Sequence, residues 1–258
     1  MVQFAAWCDW ADASIAPHTI GILTGRPAHI PVGVQASAKT IPGHYAAEER
    51  LARALIRLKK PQAAKFLTDL LPTSPQIRSG DLGEIYATEW INAHSGYQAP
   101  INRLRWKDHR NMAMRGDDVI GLYLDPASQR LRFLKTEAKS RAQLKTQTLT
   151  EAREGLDKDG GFPSAHALTF IATRLSEMGN LDLADAIDDA QLVHGIPSAT
   201  VQHLTFIFSG TPPTSLLTKA LQGYGGGFSQ IGLALHVDDH KAFVGAVYNQ
   251  VIADANQS

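Results

Sequence analysis

Apolar residues recur every second position in some stretches of this chain and every third or fourth in others, and the change of period predicts its elements. Residues 1–43 mix Trp7, Trp10, Ile15, Ile20 and Ile22 with Pro17, Pro27, Pro31 and Pro42. That predicts short strands or extended segments, not long helices. From His44 onward, Leu51, Leu55, Ile56 and Leu58 recur at helical spacing among Glu48, Glu49, Arg50, Arg53 and Arg57. Pro61 opens a second helical run through Phe66, Leu67, Leu70 and Leu71, and the segment from Pro72 to Pro75 closes it. Asp81 to Ala93 reads as a helix with Leu82, Ile85, Tyr86 and Trp90 on one stripe, and Ala99 to Trp106 alternates as a strand.

The two runs Val119–Leu124 and Leu131–Lys139 flank Asp125-Pro126-Ala127-Ser128-Gln129, which predicts a β-hairpin. Ser140 to Leu156 reads as a crossing helix, and Ser164 to Met178 and Leu181 to Val193 as two more. Val201 to Ser209 carries the strongest signal of a buried strand. Thr214 to Leu221 is then a helix, Ile231 to Val237 a strand, and Asp238 to Asp254 a terminal helix capped by Asp238 or Asp239. Strands and helices in this order predict an α/β fold with a mixed central sheet flanked by helices. The Pro/Ser/Thr-rich stretch is a candidate boundary between an N-terminal region, residues 1–75, mixed and partly helical with a structural or partner-binding role, and a core at 76–258.

The hairpin concentrates chemistry at one end. An antiparallel pair brings the start of its first strand beside the end of its second, so Asp117 and Asp118 approach Glu137-Ala138-Lys139. Glu137 and Lys139 share a face because they are two residues apart. Two close carboxylates repel unless a cation lies between them, and hard oxygen donors suit Mg²⁺ or Mn²⁺ better than zinc. Asp118, directly before the apolar run, is the favoured ligand; alternation turns Asp117 away, toward the turn or a supporting role. The Lys139 ammonium would orient or deprotonate a water, or stabilise charge on a phosphate.

Charge sharpens this picture. The 258 residues are formally neutral overall, which argues against a uniformly basic nucleic-acid binder. From Arg103 to Lys145, however, 11 Lys/Arg face 5 Asp/Glu, whereas Glu151 to Leu192 holds 9 acidic and 3 basic residues. Positive charge therefore gathers around the proposed site, where it would attract a polyanion. Arg110, Arg115, Arg141 and Lys145 are candidate nucleic-acid contacts, and Arg103, Arg105 and Lys107 could also grip phosphates with His109 nearby. The acidic repeat Asp182, Asp185, Asp188 and Asp189 reads as a solvated or partner-facing helix surface. His18, His29 and His44 lack metal-site spacing, and Gly223 to Gly227 lacks the Gly-Lys-Ser/Thr ending of a phosphate loop. A single cysteine, 44% hydrophobic content and no long apolar run predict a cytoplasmic protein with a substantial core and no membrane partner.

Asp118 before an apolar strand, followed 19 positions later by Glu137-Ala138-Lys139, resembles the PD-(D/E)XK nuclease superfamily. Its restriction-endonuclease-like core is a helix, a three-stranded meander, a crossing helix and a fourth strand, often with a glutamate on the first helix. Glu84 in Gly80-Asp81-Leu82-Gly83-Glu84 matches that glutamate. The resemblance implies that Asp118, Glu137, Glu84 and the Ala138 carbonyl hold Mg²⁺ or Mn²⁺ while Lys139 assists the attacking water. More narrowly, the length, the Gly-Glu helix, the Gly-Asp-Asp strand and the Glu-Ala-Lys strand are similar to the nuclease subunit of Hachiman-type anti-phage systems, which works beside a helicase subunit. That implies DNA degradation in bacterial defence with a helicase partner. The alternatives are a catalytically inactive subunit that regulates a helicase or binds nucleic acid, and a nuclease directed at RNA.

Overall fold

The computed structural model describes residues 1–58 and 60–257; the side chains of Leu55 and Pro61, used in the helix readings above, lie outside the described residues. Among the described residues, six strands form one sheet: β1 (Cys8–Ile15), β2 (His18–Gly25), β3 (Val119–Leu124), β4 (Leu131–Arg141), β5 (Val201–Ser209) and β6 (Ser229–His236), ordered β1-β2-β6-β5-β4-β3. The two outer pairs are antiparallel hairpins, and β2, β6, β5 and β4 are mutually parallel. This is the predicted α/β class with a mixed sheet.

Parallel strands need covering on both faces, and helices supply it. On one face α1 (Ile30–Tyr45), α4 (Pro75–His94) and α9 (His240–Gln257) pack with Tyr86, Leu204, Phe206, Phe208, Leu233 and Leu235. On the other, α5 (Thr146–Asp157) and α8 (Thr214–Gln222) cover Ile20, Ile22, Ile207 and Ala234. Farther along that face α6 (Ala165–Glu177) and α7 (Leu181–Asp189) bury Ile120, Leu122, Leu131 and Phe133. The remaining helices, α2 (Glu48–Arg57) and α3 (Lys60–Leu70), add a small cluster against the end of α9.

Two local expectations are corrected. Ile30–Tyr45 is a 16-residue helix despite its prolines. Pro31 falls in the first turn, where a missing N–H costs nothing, and Pro42 falls near the end. Gly33 leaves room for the Trp7 ring, which a Cβ would meet at 2.6 Å, so tertiary packing outweighs the weak local signal. Ala99–Trp106 is not a strand: Gln98 makes an isolated bridge to Leu122, and Arg103–Trp106 coils into a 3₁₀ turn. The meander thus has two full strands, and the place expected for its first strand delivers Arg103 instead.

β4 is longer than its partner. Val119 pairs with Thr136, so Glu137 to Arg141 extend beyond β3 with one edge open. That edge positions the candidate site.

Candidate metal and nucleic-acid site

At the open edge of β4, Asp118 reaches the Glu137-Ala138-Lys139 segment. The Ala138 amide donates to Asp118 Oδ2 at 2.9 Å. The N–H and C=O of one strand residue face the same neighbour, so the Ala138 carbonyl looks out on the same side. Glu137 projects toward α5, whose Gly155 leaves space for it: a Cβ there would lie 2.4 Å from the Glu137 carboxyl carbon. Lys139 Nζ is paired with Glu137 Oε1. Glu84 arrives from α4, the helix that crosses β4 closely enough for a Cβ at neighbouring Gly83 to sit 3.3 Å from that of Ser140.

Arg103 closes the cluster. Its Nε donates to Glu84 Oε2 at 2.9 Å and its Nη2 to Asp118 Oδ1 at 3.1 Å, while Nη1 donates to the carbonyls of Asp117 and Arg115. Burial works against the guanidinium charge, yet Glu84, Asp118 and Glu137 raise its pKa further. Asp118 responds in the opposite sense. Burial, then the negative charges of Glu84 and Glu137, push its carboxyl up to about 8, against the pull of Arg103 and the Ala138 amide. With all three acids ionised they exceed the two cations by one negative charge, which the shift of Asp118 toward its neutral form relieves.

The donor set fits a hard divalent cation: three carboxylates and a strand carbonyl, all oxygen, short of positive charge. Among the described residues, no three carboxylate, imidazole or thiol groups already close on a common point. The guanidinium holds Glu84 and Asp118 in their present arrangement.

Asp117 goes the other way. Its Oδ1 lies 3.4 Å from Lys135 Nζ and its Oδ2 accepts from the Ser164 amide at the start of α6. Lys135, 1% exposed, also donates to the carbonyls of Lys158 and Phe162. This is a structural clamp on the corner that carries Asp118.

The basic candidates separate. Arg115 is exposed and lines a small cavity of about 80 Å³ with Glu84, Arg103, Asp118 and His166. Arg141 and Lys145 line a wider cleft of about 780 Å³ at the carboxyl ends of β4, β5 and β6, together with Gln147 and Lys241. Glu151, Asp238 and Asp239 share that cleft, and Glu151 lies 3.5 Å from Arg141. Arg110 is elsewhere, donating to the carbonyls of Thr68 and Asp69. Lys107 leaves the phosphate-gripping set because it is buried against Asp81, 2.7 Å away. Arg105 donates to the Gly43 carbonyl.

Sequence reasoning missed three features. Arg103 was one basic residue among several, and its Glu84–Asp118 bridge has no local signature. Asp81, next to the Gly-Glu pair, is buried with Lys107 and Tyr45, and burial pushes it up to about 6 against their pull. Ser140 Oγ joins Ser79 Oγ and His240 Nε2, each at 2.8 Å, tying α4 and α9 to β4 just past Lys139.

Comparison with known proteins bears on this arrangement. The chain is 28% identical over 194 residues to the Hachiman protein HamA of Bacillus cereus, covering 74% of this chain and 68% of that protein. A sequence model of the HamA family matches residues 34–251, which include Glu84, Arg103, Asp118, Glu137 and Lys139. The chain belongs to the HamA family.

Proposed function

We propose that this protein is a Mg²⁺-dependent nuclease of the PD-(D/E)XK type that cuts DNA in Hachiman anti-phage defence, working with a helicase partner. The observation that carries the reading is that Arg103 ties Glu84 to Asp118 while the Ala138 amide holds Asp118 beside the Glu137–Lys139 pair at the open end of β4. A helix bearing the glutamate, a hairpin, a crossing helix and a parallel fourth strand support the same assignment. No described helix is long and apolar enough to cross a membrane.

Asp118, Glu137, Glu84 and the Ala138 carbonyl would hold Mg²⁺ or Mn²⁺. Such an ion would polarise the scissile phosphate and offset charge in an in-line displacement. Lys139 Nζ, paired with Glu137, would orient the attacking water and stabilise charge on the phosphate. Arg141, Lys145 and Lys241, in the cleft at the strand ends, contact the phosphates flanking the cut and set the register of the strand without reading its sequence.

Purified protein, with its helicase partner where one is required, should degrade DNA in Mg²⁺, and the double variant Glu137→Ala with Lys139→Ala should lose at least ~10³-fold of that rate. Equal cleavage by the double variant sinks the assignment. A second reading, a subunit that regulates a helicase without cutting, is favoured by one observation: a guanidinium already bridges two of the acids. On that reading the double variant keeps full phage protection and calorimetry detects no divalent-ion binding.

A further inference from the structure

We infer that Arg103 is a resident cation that a divalent ion must displace, so that the metal site of the proposed nuclease is assembled by exchange of one cation for another. The inference rests on the nuclease reading for its metal, and on the geometry for its residue. Four of the five guanidinium N–H groups have acceptors: the Glu84 and Asp118 carboxylates, and the carbonyls of Arg115 and Asp117. The side chain is 13% exposed, as sheltered as the two acids it bridges. A cation held this way is a component of the site, not a surface charge that drifted in.

Charge balance selects exchange over addition. With all three acids ionised, as ligands of a divalent ion would be, they outnumber Arg103 and Lys139 by one negative charge. A divalent ion in the guanidinium's place brings the cluster to neutrality, whereas ion and guanidinium together leave an excess of positive charge in a sheltered site, where unbalanced charge is costly. The oxygen atoms impose the same choice. Glu84 Oε2 and Asp118 Oδ1 are directed at the guanidinium, and Asp118 Oδ2 is engaged by the Ala138 amide. A hard cation competes for the two oxygens that Arg103 holds. Two of the guanidinium's other acceptors belong to the backbone of the segment leading into β3, where Arg115 is exposed. Shifting that segment would loosen the bridge and so admit the ion.

Mn²⁺ binding to the whole chain, without DNA, tests the exchange. Arg103→Met should bind Mn²⁺ at least ~10-fold more tightly than wild type, with Arg103→Lys between them because an ammonium cannot bridge both acids in the same planar fork. A measurement on unaltered protein guards against misfolding of the variant: the Arg103 Nε proton, slow to exchange with solvent while Glu84 accepts it, should become fast when Mg²⁺ saturates the site. Equal or weaker Mn²⁺ binding by a folded Arg103→Met, or an Nε proton still protected at saturating Mg²⁺, overturns the exchange while leaving cleavage by wild type intact. Tighter binding by Arg103→Met in a protein that cuts no DNA confirms the exchange and removes the nuclease reading instead.

Discussion

Asp117 and Asp118 are adjacent acids at one corner of the chain, and the two regions they enter have opposite electrostatics. Asp117 meets Lys135, and the surrounding acceptors and donors are satisfied by the Lys158 and Phe162 carbonyls and the Ser164 amide. Asp118 enters a cluster with two further carboxylates, and its carboxyl is held near 8. The first region is a closed pair that fixes a loop and a helix start to the sheet. The second carries an excess of acid that the fold relieves by holding Asp118 toward its neutral form. A shift of that kind is a reason to look for a ligand, since shifted ionisation gathers where a site is built to bind or react.

The largest effect that would sharpen the contrast is in the closed pair. Lys135→Met removes the partner of a buried carboxylate, and such a loss costs about 3–5 kcal/mol. Urea denaturation should show it as a lower midpoint, with metal-free and metal-loaded protein affected alike. A cost under about 1 kcal/mol, the range of an exposed pair, would mean that Lys135 and Asp117 are no clamp.

How far the two regions could be read from the sequence differs as well. The hairpin, the crossing helix and the buried strand β5 were legible because each rests on local information: a turn containing Pro126, a helical period, an unbroken apolar run. The approach of Asp118 to Ala138, between Glu137 and Lys139, followed from hairpin geometry alone. Arg103 did not, because its alternating surroundings Ile101, Leu104 and Trp106 imitate a strand, while the side chain is drawn to acids 19 and 15 positions away. Lys107 was assigned to the phosphate-gripping set for a similar reason, since nothing within its own segment announces Asp81 as a partner. Helix α1 was hidden because its packing depends on Trp7, more than twenty residues earlier.

A middle-sized effect concerns a second closed cluster. His203 accepts through Nδ1 from Arg153 at 2.8 Å, and its Nε2 lies 2.7 Å from the Gly161 carbonyl. Burial holds the ring near 4, with Arg153 and Lys135 adding to it against the Gly161 carbonyl. The folded pKa is below the unfolded one of roughly 6.5. Between those values the unfolded chain binds more protons, so the stability His203 contributes is complete above about 6.5 and is lost as pH falls toward 4. His203 should account for about 3 kcal/mol of that loss. His240, also held near 4 mainly by burial, acts in the same sense in this window while Asp81 and Asp118, held above their ordinary range, oppose it, so His203→Gln should lower the slope of stability against pH by about 1.4 kcal/mol per pH unit relative to wild type. An unchanged slope between pH 6.5 and 4 would mean the ring is already charged in the fold, and that this cluster is no more balanced than the one around Asp118.

The smallest effect on stability falls where the functional effect should be large. Asp118→Asn keeps an oxygen for the Ala138 amide and removes one of three mutually repelling acids. Arg103 retains Glu84. In the absence of metal the variant should therefore be as stable as wild type, or more stable by up to about 1 kcal/mol, as happens when a site strained for function is relieved. Divalent-ion affinity should fall at least ~10-fold in the same protein, because a neutral amide is a poor substitute for a carboxylate at a hard cation. Denaturation in EDTA and calorimetry with Mn²⁺ read the two quantities separately. A loss of 3 kcal/mol or more in EDTA would place Asp118 in the same class as Asp117, an acid whose pairing holds the fold together, and the distinction between the two sides of this corner would disappear.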